Sequence, residues 1–550
     1  MTDDQGYGDF GVTGNRVIQT PNLDAMAGRS ATMSRFYVSP VCAPTRASLM
    51  TGRYNYRTRA IDTYIGRAMM EPNEVTIAEI LSGAGYATGI FGKWHLGDNY
   101  PMRPMDQGFS ESLVHRGGGI GQPSDPEGAE GKYTDALLFH QGKPTPTKGY
   151  CTDVYFSAAM DWIETTQKSG KSFFAYIPTN APHGPFHDVP KEEYELYKGM
   201  DLTPAMLGKG NPGLADRIAR IYAMITNIDR NVGRLFARLD ALKLTENTLV
   251  IFLVDNGPNG PRYIAGMRGA KTSVYEGGIR SPFFAHWPAR LKPGEASRFV
   301  SAHIDMLPTI LDACSVEPPK GLEIDGRSLL PLLERKKIKL ADRAICIQAH
   351  RGDQPVRYHN FAYRTNRWKL VHASGFGREN FQGAPKIELY DMDLDPLEKK
   401  DLAAEKPELF AKLKKGYDAW FDDVGSTRPD NYAPPRIWLG TEHENPSVLT
   451  RQDWRHVKGR PWGADSRGYW LVHVARGGTF EVHARFRPRN VDGSISLAFG
   501  GQKRAGKIAK GATSHTFEGL NLKPGDTRVE VVLVHGKVDR GPWQVDVKRR

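Results

Sequence analysis

Val41-Cys42-Ala43-Pro44-Thr45-Arg46-Ala47-Ser48-Leu49-Met50-Thr51-Gly52-Arg53 decides how the rest of this 550-residue chain is read. Proline suits the first turn of a helix, where its missing N–H has no partner to lose, so Pro44 predicts a helix start and sets Cys42 at its N-terminus. Unpaired N–H groups and the helix dipole favour an anion at such a place. Taken alone, the cysteine would be a small buried thiol beside a helix. The strings that accompany it, in order along the chain, argue for more.

Working outward, Arg35-Phe36-Tyr37-Val38 reads as a short strand leading to Cys42, and Thr20-Pro21-Asn22-Leu23-Asp24 as an N-cap with a first-turn proline. Thr76 caps a predicted helix over Ile77, Ile80 and Leu81, ended by glycines at 83 and 85, and Tyr86 to Phe91 returns as a strand. Residues 153 to 168 read as helix. Ser172 to Ile177 is an apolar run of strand length, as expected for a strand buried on both faces. Ile221, Ile225, Ile228, Val232, Leu235 and Leu239 keep helical spacing, and Thr248 to Val254 forms a strand ending at Asp255-Asn256-Gly257. Helices alternating with buried strands predict an α/β domain with a mainly parallel sheet and functional loops at the carboxyl ends of its strands.

The Cys42-x-Pro44-x-Arg46 string closed by Thr51-Gly52-Arg53 resembles the signature of type I sulfatases, arylsulfatase-like members of the alkaline phosphatase superfamily. Thr45 stands where serine is more usual. The resemblance covers residues 1 to about 420. It implies an alkaline-phosphatase-like fold with a large mixed, mainly parallel sheet and a small C-terminal antiparallel sheet, the latter at Asn366 to Val371 and Glu388 to Asp391. It implies that Cys42 is oxidised to formylglycine by a formylglycine-generating enzyme during maturation. It further implies a calcium ion, with magnesium as the alternative, on Asp3, Asp4, Cys42, Asp255 and Asn256; a hard cation does want such oxygen ligands. Alone, Asp3-Asp4 would be a solvated terminus and Asp255-Asn256-Gly257 a turn.

Gly92-Lys93-Trp94-His95-Leu96-Gly97 is a second sulfatase-like string, and two residues apart on an extended segment point to one side. The resemblance implies that Lys93 bridges nucleophile and sulfate, and that His95 bonds the formylglycine hydroxyl and helps remove its proton. His183, in Asn180-Ala181-Pro182-His183-Gly184-Pro185, suits a general acid with its unperturbed pKa of about 6.5. Lys271, in Met267 to Pro282, is implied to hold a sulfate oxygen, and Arg46 to stabilise the hydrated aldehyde. Lys93, His183 and Lys271 are thus the substrate-binding candidates. One hydroxyl of the hydrated formylglycine would attack sulfur, His183 would protonate the leaving alcohol, and the second hydroxyl would expel sulfate. His187 reads as a surface or rim residue. His115, His140, His303 and His350 carry no motif, and residues 110 to 150, with His115, Arg116, Lys132 and Lys143, are expected to form part of the substrate pocket.

In the family the first metal motif ends a buried strand, and here Met1-Thr2 stands in its place. The expectation is a native start upstream of Met1, which would allow a periplasmic or secreted enzyme; a native Met1 would leave it cytoplasmic.

The length predicts two or three domains. A net charge of +12 and a pI of about 9.3 favour polyanions. Basic and acidic residues are interleaved and no nucleic-acid-binding signature occurs, so sulfated glycans are preferred to nucleic acid. Cys42, Cys151, Cys314 and Cys346 define no disulfide pairing. No apolar run of about twenty residues predicts a membrane span. The expected division is a catalytic domain at 1–340, a smaller subdomain at 341–422, a proline-containing linker at 423–450 with Pro429, Pro434, Pro435 and Pro446, and a β-sandwich at 451–550. Strand-like runs at 468–474, 479–486, 494–499, 528–534 and 543–547 carry the last. It weakly resembles accessory domains of carbohydrate-active enzymes. A structural domain with core tryptophans is favoured over a glycan-binding module using Trp454, Trp462 or Trp543. The reading is a sulfuric ester hydrolase acting on a sulfated carbohydrate or aryl sulfate. The rivals are a phosphonate or phosphate ester hydrolase and a non-catalytic protein that binds sulfated glycans.

Overall fold

The computed structural model describes residues 1–207, 212–428 and 432–550. Pro429 of the expected linker lies outside them. The catalytic half carries a five-stranded sheet in the order Lys143–Pro146, Leu137–His140, Glu111–His115, Ala87–Lys93, Phe173–Tyr176, and a four-stranded sheet in the order Gly294–Ser297, Ala31–Met33, Phe283–His286, Val250–Leu253. Ala87–Lys93 pairs in parallel with both neighbours, and Phe283–His286 antiparallel with both of its own. Helices Cys151–Lys168 and Pro212–Ala241 pack together, with Phe156, Ile163, Ile228, Val232 and Leu239 in one apolar core.

Residues 1–3 run between the facing edges of these sheets. On one side the Met1 amino group donates to the Ile177 carbonyl, Thr179 N–H to Met1 O and Asp3 N–H to Ala181 O. On the other, Thr2 N–H donates to Leu253 O and Asp255 N–H to Thr2 O. The chain therefore acts as a short parallel strand that brings Asp3 and Asp4 to the strand end carrying Asp255. Behind Met1, a cleft of about 530 Å³ continues between Phe173–Tyr176 and Val250–Leu253, lined by apolar side chains such as Phe156, Leu235 and Ile251.

Local expectations hold where capping or apolar periodicity is strong. Thr76 and Glu79 form a reciprocal capping box on helix Ile77–Gly83. Thr20 does not cap its helix; its hydroxyl accepts from Gly11 N–H and donates to Asp24. A small antiparallel sheet, Ile345–Gln348, Phe361–Arg364, Trp368–His372 and Glu388–Asp391, is covered by helix Pro407–Ser426, whose Tyr417 ring lies 4.0 Å from that of Phe361.

The C-terminal part is a β-sandwich. One sheet runs Ile437–Leu439, Arg467–Val474, Gly525–His535, Gly493–Phe499, Gln502–Ile508; the other runs Ser447–Thr450, Gln544–Arg549, Gly478–Arg485, Ser514–Leu522. Arg467–Val474 alternates buried and half-exposed residues, and its buried Trp470, Val472 and Val474 meet Phe480, Leu497 and Val531. Two of these strands, Ile437–Leu439 and Ser447–Thr450, fall in the segment expected as a linker, and the first part of that segment completes helix Pro407–Ser426. Their prolines flank strands of three and four residues, too short to show a period in sequence. Trp454 is fully buried against Trp470, whereas Trp462 and Trp543 are half-buried. Among the described residues, no helix is long and apolar enough to cross a membrane.

Candidate active site

Cys42 is the first residue of helix Cys42–Thr51, preceded by Val41 in extended conformation, so the Pro44 reading of the helix start stands. Every residue of that helix is buried. Thr45, where a serine is more usual, donates its hydroxyl to the Asp255 carbonyl at 2.7 Å and accepts from Ser39 N–H at 2.9 Å. A β-branched hydroxyl thus fixes the helix start to the end of strand Val250–Leu253. One turn into the helix, Arg46 donates to the Lys93 carbonyl and to Asp255 Oδ2, both at 2.8 Å, and lies 3.6 Å from Asp3 Oδ2.

Ligand atoms of Asp3, Cys42 and Asp255 lie within 4.8 Å of one another. Lys93 is completely buried and pairs with Asp3 Oδ2. Lys271 Nζ sits 2.5 Å from Asp4 Oδ1, which also accepts from Asn256 Nδ2 at 2.9 Å. Burial would raise the Asp4 carboxyl, but Lys271 and His183, with hydrogen bonds from Lys271 and Asn256, hold it far below the usual carboxylate range. Burial, reinforced by Asp3, pushes Asp255 up to about 6 against the pull of Arg46 and Lys93. Burial likewise raises the Cys42 thiol, although Lys93 and Lys271 oppose it.

The residues present fit a hard cation. Asp3 Oδ1 and Asn256 Oδ1 are buried without a hydrogen-bond partner. Asn256 Nδ2 already faces two acceptors, Asp4 Oδ1 and Gly257 O, which leaves its oxygen free. Three buried carboxylates with one amide oxygen form the donor set calcium or magnesium takes.

Each histidine has its tautomer fixed by a carbonyl, which can only accept. His95 Nε2 donates to Thr63 O at 2.8 Å, so Nδ1 is the unprotonated nitrogen, and it is buried without a partner. Burial, with Lys93 and Arg46 nearby, holds this imidazole well below 6.5. His183 Nδ1 donates to Gly184 O at 2.8 Å, which leaves Nε2 3.8 Å from Asp4 Oδ2. Burial lowers the His183 pKa and Asp4 partly restores it.

Arg46, Lys93, Asp3 and Asp255 are thus joined by ion pairs, and Lys271, Asn256 and His183 gather around Asp4, while His95 is bonded to Thr63. Asn259 was missed; its amide donates to Asp4 Oδ2 at 3.2 Å. So was Arg262, which donates to the Asp4 carbonyl at 2.7 Å while paired with Asp9. Neither belongs to a string that was legible by itself. The 110–150 segment does reach the site, but through glycines. A Cβ on Gly119 would lie 2.8 Å from the His183 ring, and one on Gly118 3.0 Å from that of His95. The expected charged residues do other work. His115 bonds Asp125 and Asn180, Arg116 covers the Phe139 ring, Lys132 pairs with Glu130, and Lys143 is exposed. His187 is exposed, and His303 and His350 are buried and hydrogen-bonded away from the site.

Lysines on buried carboxylates at a helix N-terminus can hold an anionic ester, and an imidazole with one nitrogen free can move a proton beside it. The sulfatase family profile matches residues 1–316, and a second, N-sulphoglucosamine sulphohydrolase, C-terminal, matches residues 270–419. N-acetylgalactosamine-6-sulfatase of Sus scrofa is 32% identical over 68% of this chain and 72% of its own. Arylsulfatase A of Homo sapiens is 32% identical over 60% of this chain and 66% of its own. The crystal structure of Ps i-CgsB in complex with k-i-k-neocarrahexaose aligns with a TM-score of 0.65 at 25% identity, over 79% of this chain and 96% of that one. The chain belongs to the sulfatase family and is a sulfuric ester hydrolase.

Proposed function

We propose that this enzyme releases inorganic sulfate from a sulfated carbohydrate, using a formylglycine made from Cys42 and a calcium ion. The observation that carries the reading is the meeting of Asp3, Cys42 and Asp255 within 4.8 Å, with Lys93 and Lys271 on the neighbouring carboxylates. The formylglycine would supply the nucleophilic oxygen, and the cation, held by Asp3, Asp4, Asp255 and Asn256, positive charge beside the ester.

The chain's own groups do the rest. Lys93, Lys271 and Arg46 offset the charge of the bound sulfate. His95 offers its free Nδ1 as the base. His183, protonated on Nε2, donates to the departing alkoxide while Nδ1 stays on Gly184 O. The carbohydrate assignment is supported by the oligosaccharide in the Ps i-CgsB complex and by N-acetylgalactosamine-6-sulfatase among the relatives. In this reading residues 1–340 and 341–422 form the catalytic unit, and the sandwich, starting near Ile437, is accessory to it.

The test is the mass of the peptide containing Cys42, from a host with formylglycine-generating activity, followed by assay against sulfated sugars, aryl sulfates and phosphate esters. A loss of about 18 Da, the difference between thiol and aldehyde side chains, with preference for sulfate esters is expected. Cys42→Ser should lose turnover. An intact thiol in a host that converts a control sulfatase, or a preference for phosphate esters, would overturn the proposal.

A further inference from the structure

One cluster in the sandwich has far more positive charge than its surroundings neutralise. Arg451, Arg487 and Arg540 line a single hollow of about 30 Å³ together with Trp462 and Trp543. Arg451 is 3% exposed, and its guanidinium donates only to uncharged acceptors: Pro542 O at 2.8 Å, Gly463 O at 2.6 Å, Gly541 O at 2.8 Å and Ser466 Oγ at 3.1 Å. Arg540, also 3% exposed, donates to Arg487 O at 2.7 Å, and its Nε is buried without a partner. Arg487 is exposed at the rim, its guanidinium 5.5 Å from the Trp543 ring.

Hydrogen bonds to carbonyls satisfy the N–H groups but cancel no charge. The nearby carboxylate, Asp465, is already paired with Arg489 at 2.7 Å. Burial and the other two arginines push Arg451 down to about 10. Three guanidiniums crowded in this way are stabilised by an anion placed among them, and guanidinium geometry suits the oxygens of a sulfate. The hollow is sized for a pendant anionic group, not for a sugar ring, and the half-buried indoles of Trp462 and Trp543 wall it, with the Arg451 and Arg487 guanidiniums over the Trp543 ring. Trp462 also meets Tyr64 of the catalytic half edge-on, with centroids 5.5 Å apart, so the hollow adjoins the junction of the two parts.

We propose that the Arg451, Arg487, Arg540, Trp462 and Trp543 hollow is a second anion site, which holds a sulfate group of a sulfated polysaccharide away from the reacting ester. The choice of ligand rests on the sulfated-carbohydrate reading above; the site itself does not depend on turnover.

The experiment is affinity gel electrophoresis of the full chain in dextran sulfate and in unsulfated dextran, with hydrolysis of a small aryl sulfate measured in parallel. The parent should be retarded by dextran sulfate alone. Arg487→Ala and Trp543→Ala should each weaken that retardation about tenfold, the scale of one lost charge-assisted or stacking contact, with aryl sulfate kcat within about twofold of the parent. Lys415→Ala removes one exposed charge elsewhere and should leave the retardation unchanged. Equal loss from Lys415→Ala, no loss from either site variant, or no retardation of the parent would each overturn the proposal. A tryptophan-fluorescence response to inorganic sulfate that is lost in Trp543→Ala, with no such response to dextran sulfate, would assign a free-anion site and overturn the polysaccharide ligand. Failure to hydrolyse aryl sulfate, with dextran sulfate binding intact, would instead count against the catalytic reading.

Discussion

Asp453→Asn should stabilise the protein at alkaline pH and leave it nearly unchanged in acid. Asp453 and Asp98 are two buried carboxyls at the junction of the sandwich and the catalytic half, each 3% exposed. Asp98 N–H donates weakly to Asp453 Oδ2 at 3.4 Å, while Asp98 Oδ2 and Asp453 Oδ1 have no partner. Burial pushes Asp453 up to about 7; burial and then Asp453 itself push Asp98 up as well. An acid whose folded pKa lies above its unfolded value of about 3.8 binds more protons folded than unfolded between those limits. Stability is therefore fully present below about pH 4 and falls as pH rises to about 7. Between about pH 4 and about pH 7, at about 1.4 kcal/mol per tenfold change in proton concentration, the loss is on the order of 4 kcal/mol for Asp453. Asparagine carries no charge, and its amide can donate to Asp98. The assay is urea unfolding of parent and variant at pH 5 and pH 8. The variant should gain about 2 to 4 kcal/mol at pH 8 and about 1 to 2 kcal/mol at pH 5. A variant that loses stability at pH 8, or keeps the parental dependence on pH, would refute the reasoning.

Three further outcomes are expected. Gln452 Nε2 donates at 3.0 Å to the same Thr63 carbonyl that accepts from His95, so Gln452→Met should lower kcat about tenfold with little change in KM. In a His95→Ala background it should cost nothing further, which steady-state kinetics of the double variant would check. Calcium at about a hundred times its Kd should stabilise the protein by about 3 kcal/mol, and Asp3→Asn should reduce the gain; calorimetry with and without a chelator reads both. Four or five apolar residues fused ahead of Met1 would meet the open edges at Phe173–Tyr176 and Val250–Leu253. With about 2 kcal/mol for each aliphatic side chain fully buried, the melting temperature should rise, whereas a polar fusion of equal length should leave it unchanged.

What the sequence by itself determined was the set of candidate groups. Cys42, Lys93 and Asp255 each stand in a string whose local pattern also marks a helix start or a strand end, so chemistry and placement were legible together, whereas His183 and Lys271 were legible by their strings alone. Strong apolar alternation made the sandwich legible at Arg467–Val474 and Gly478–Arg485. It left out Gln502–Ile508, which is polar and largely exposed and so carries no period. That Asp3 and Asp255 come together was implied by the family resemblance alone; only the tertiary structure supplied the means, main-chain bonds on both sides of residues 1–3. It also decided which nitrogen of each histidine is free, since the deciding partners, Thr63 O and Gly184 O, are carbonyls that every residue possesses. The same holds for Gln452 and the three arginines of the sandwich. Their meaning comes from what they are packed against, and a linear sequence does not contain that neighbourhood.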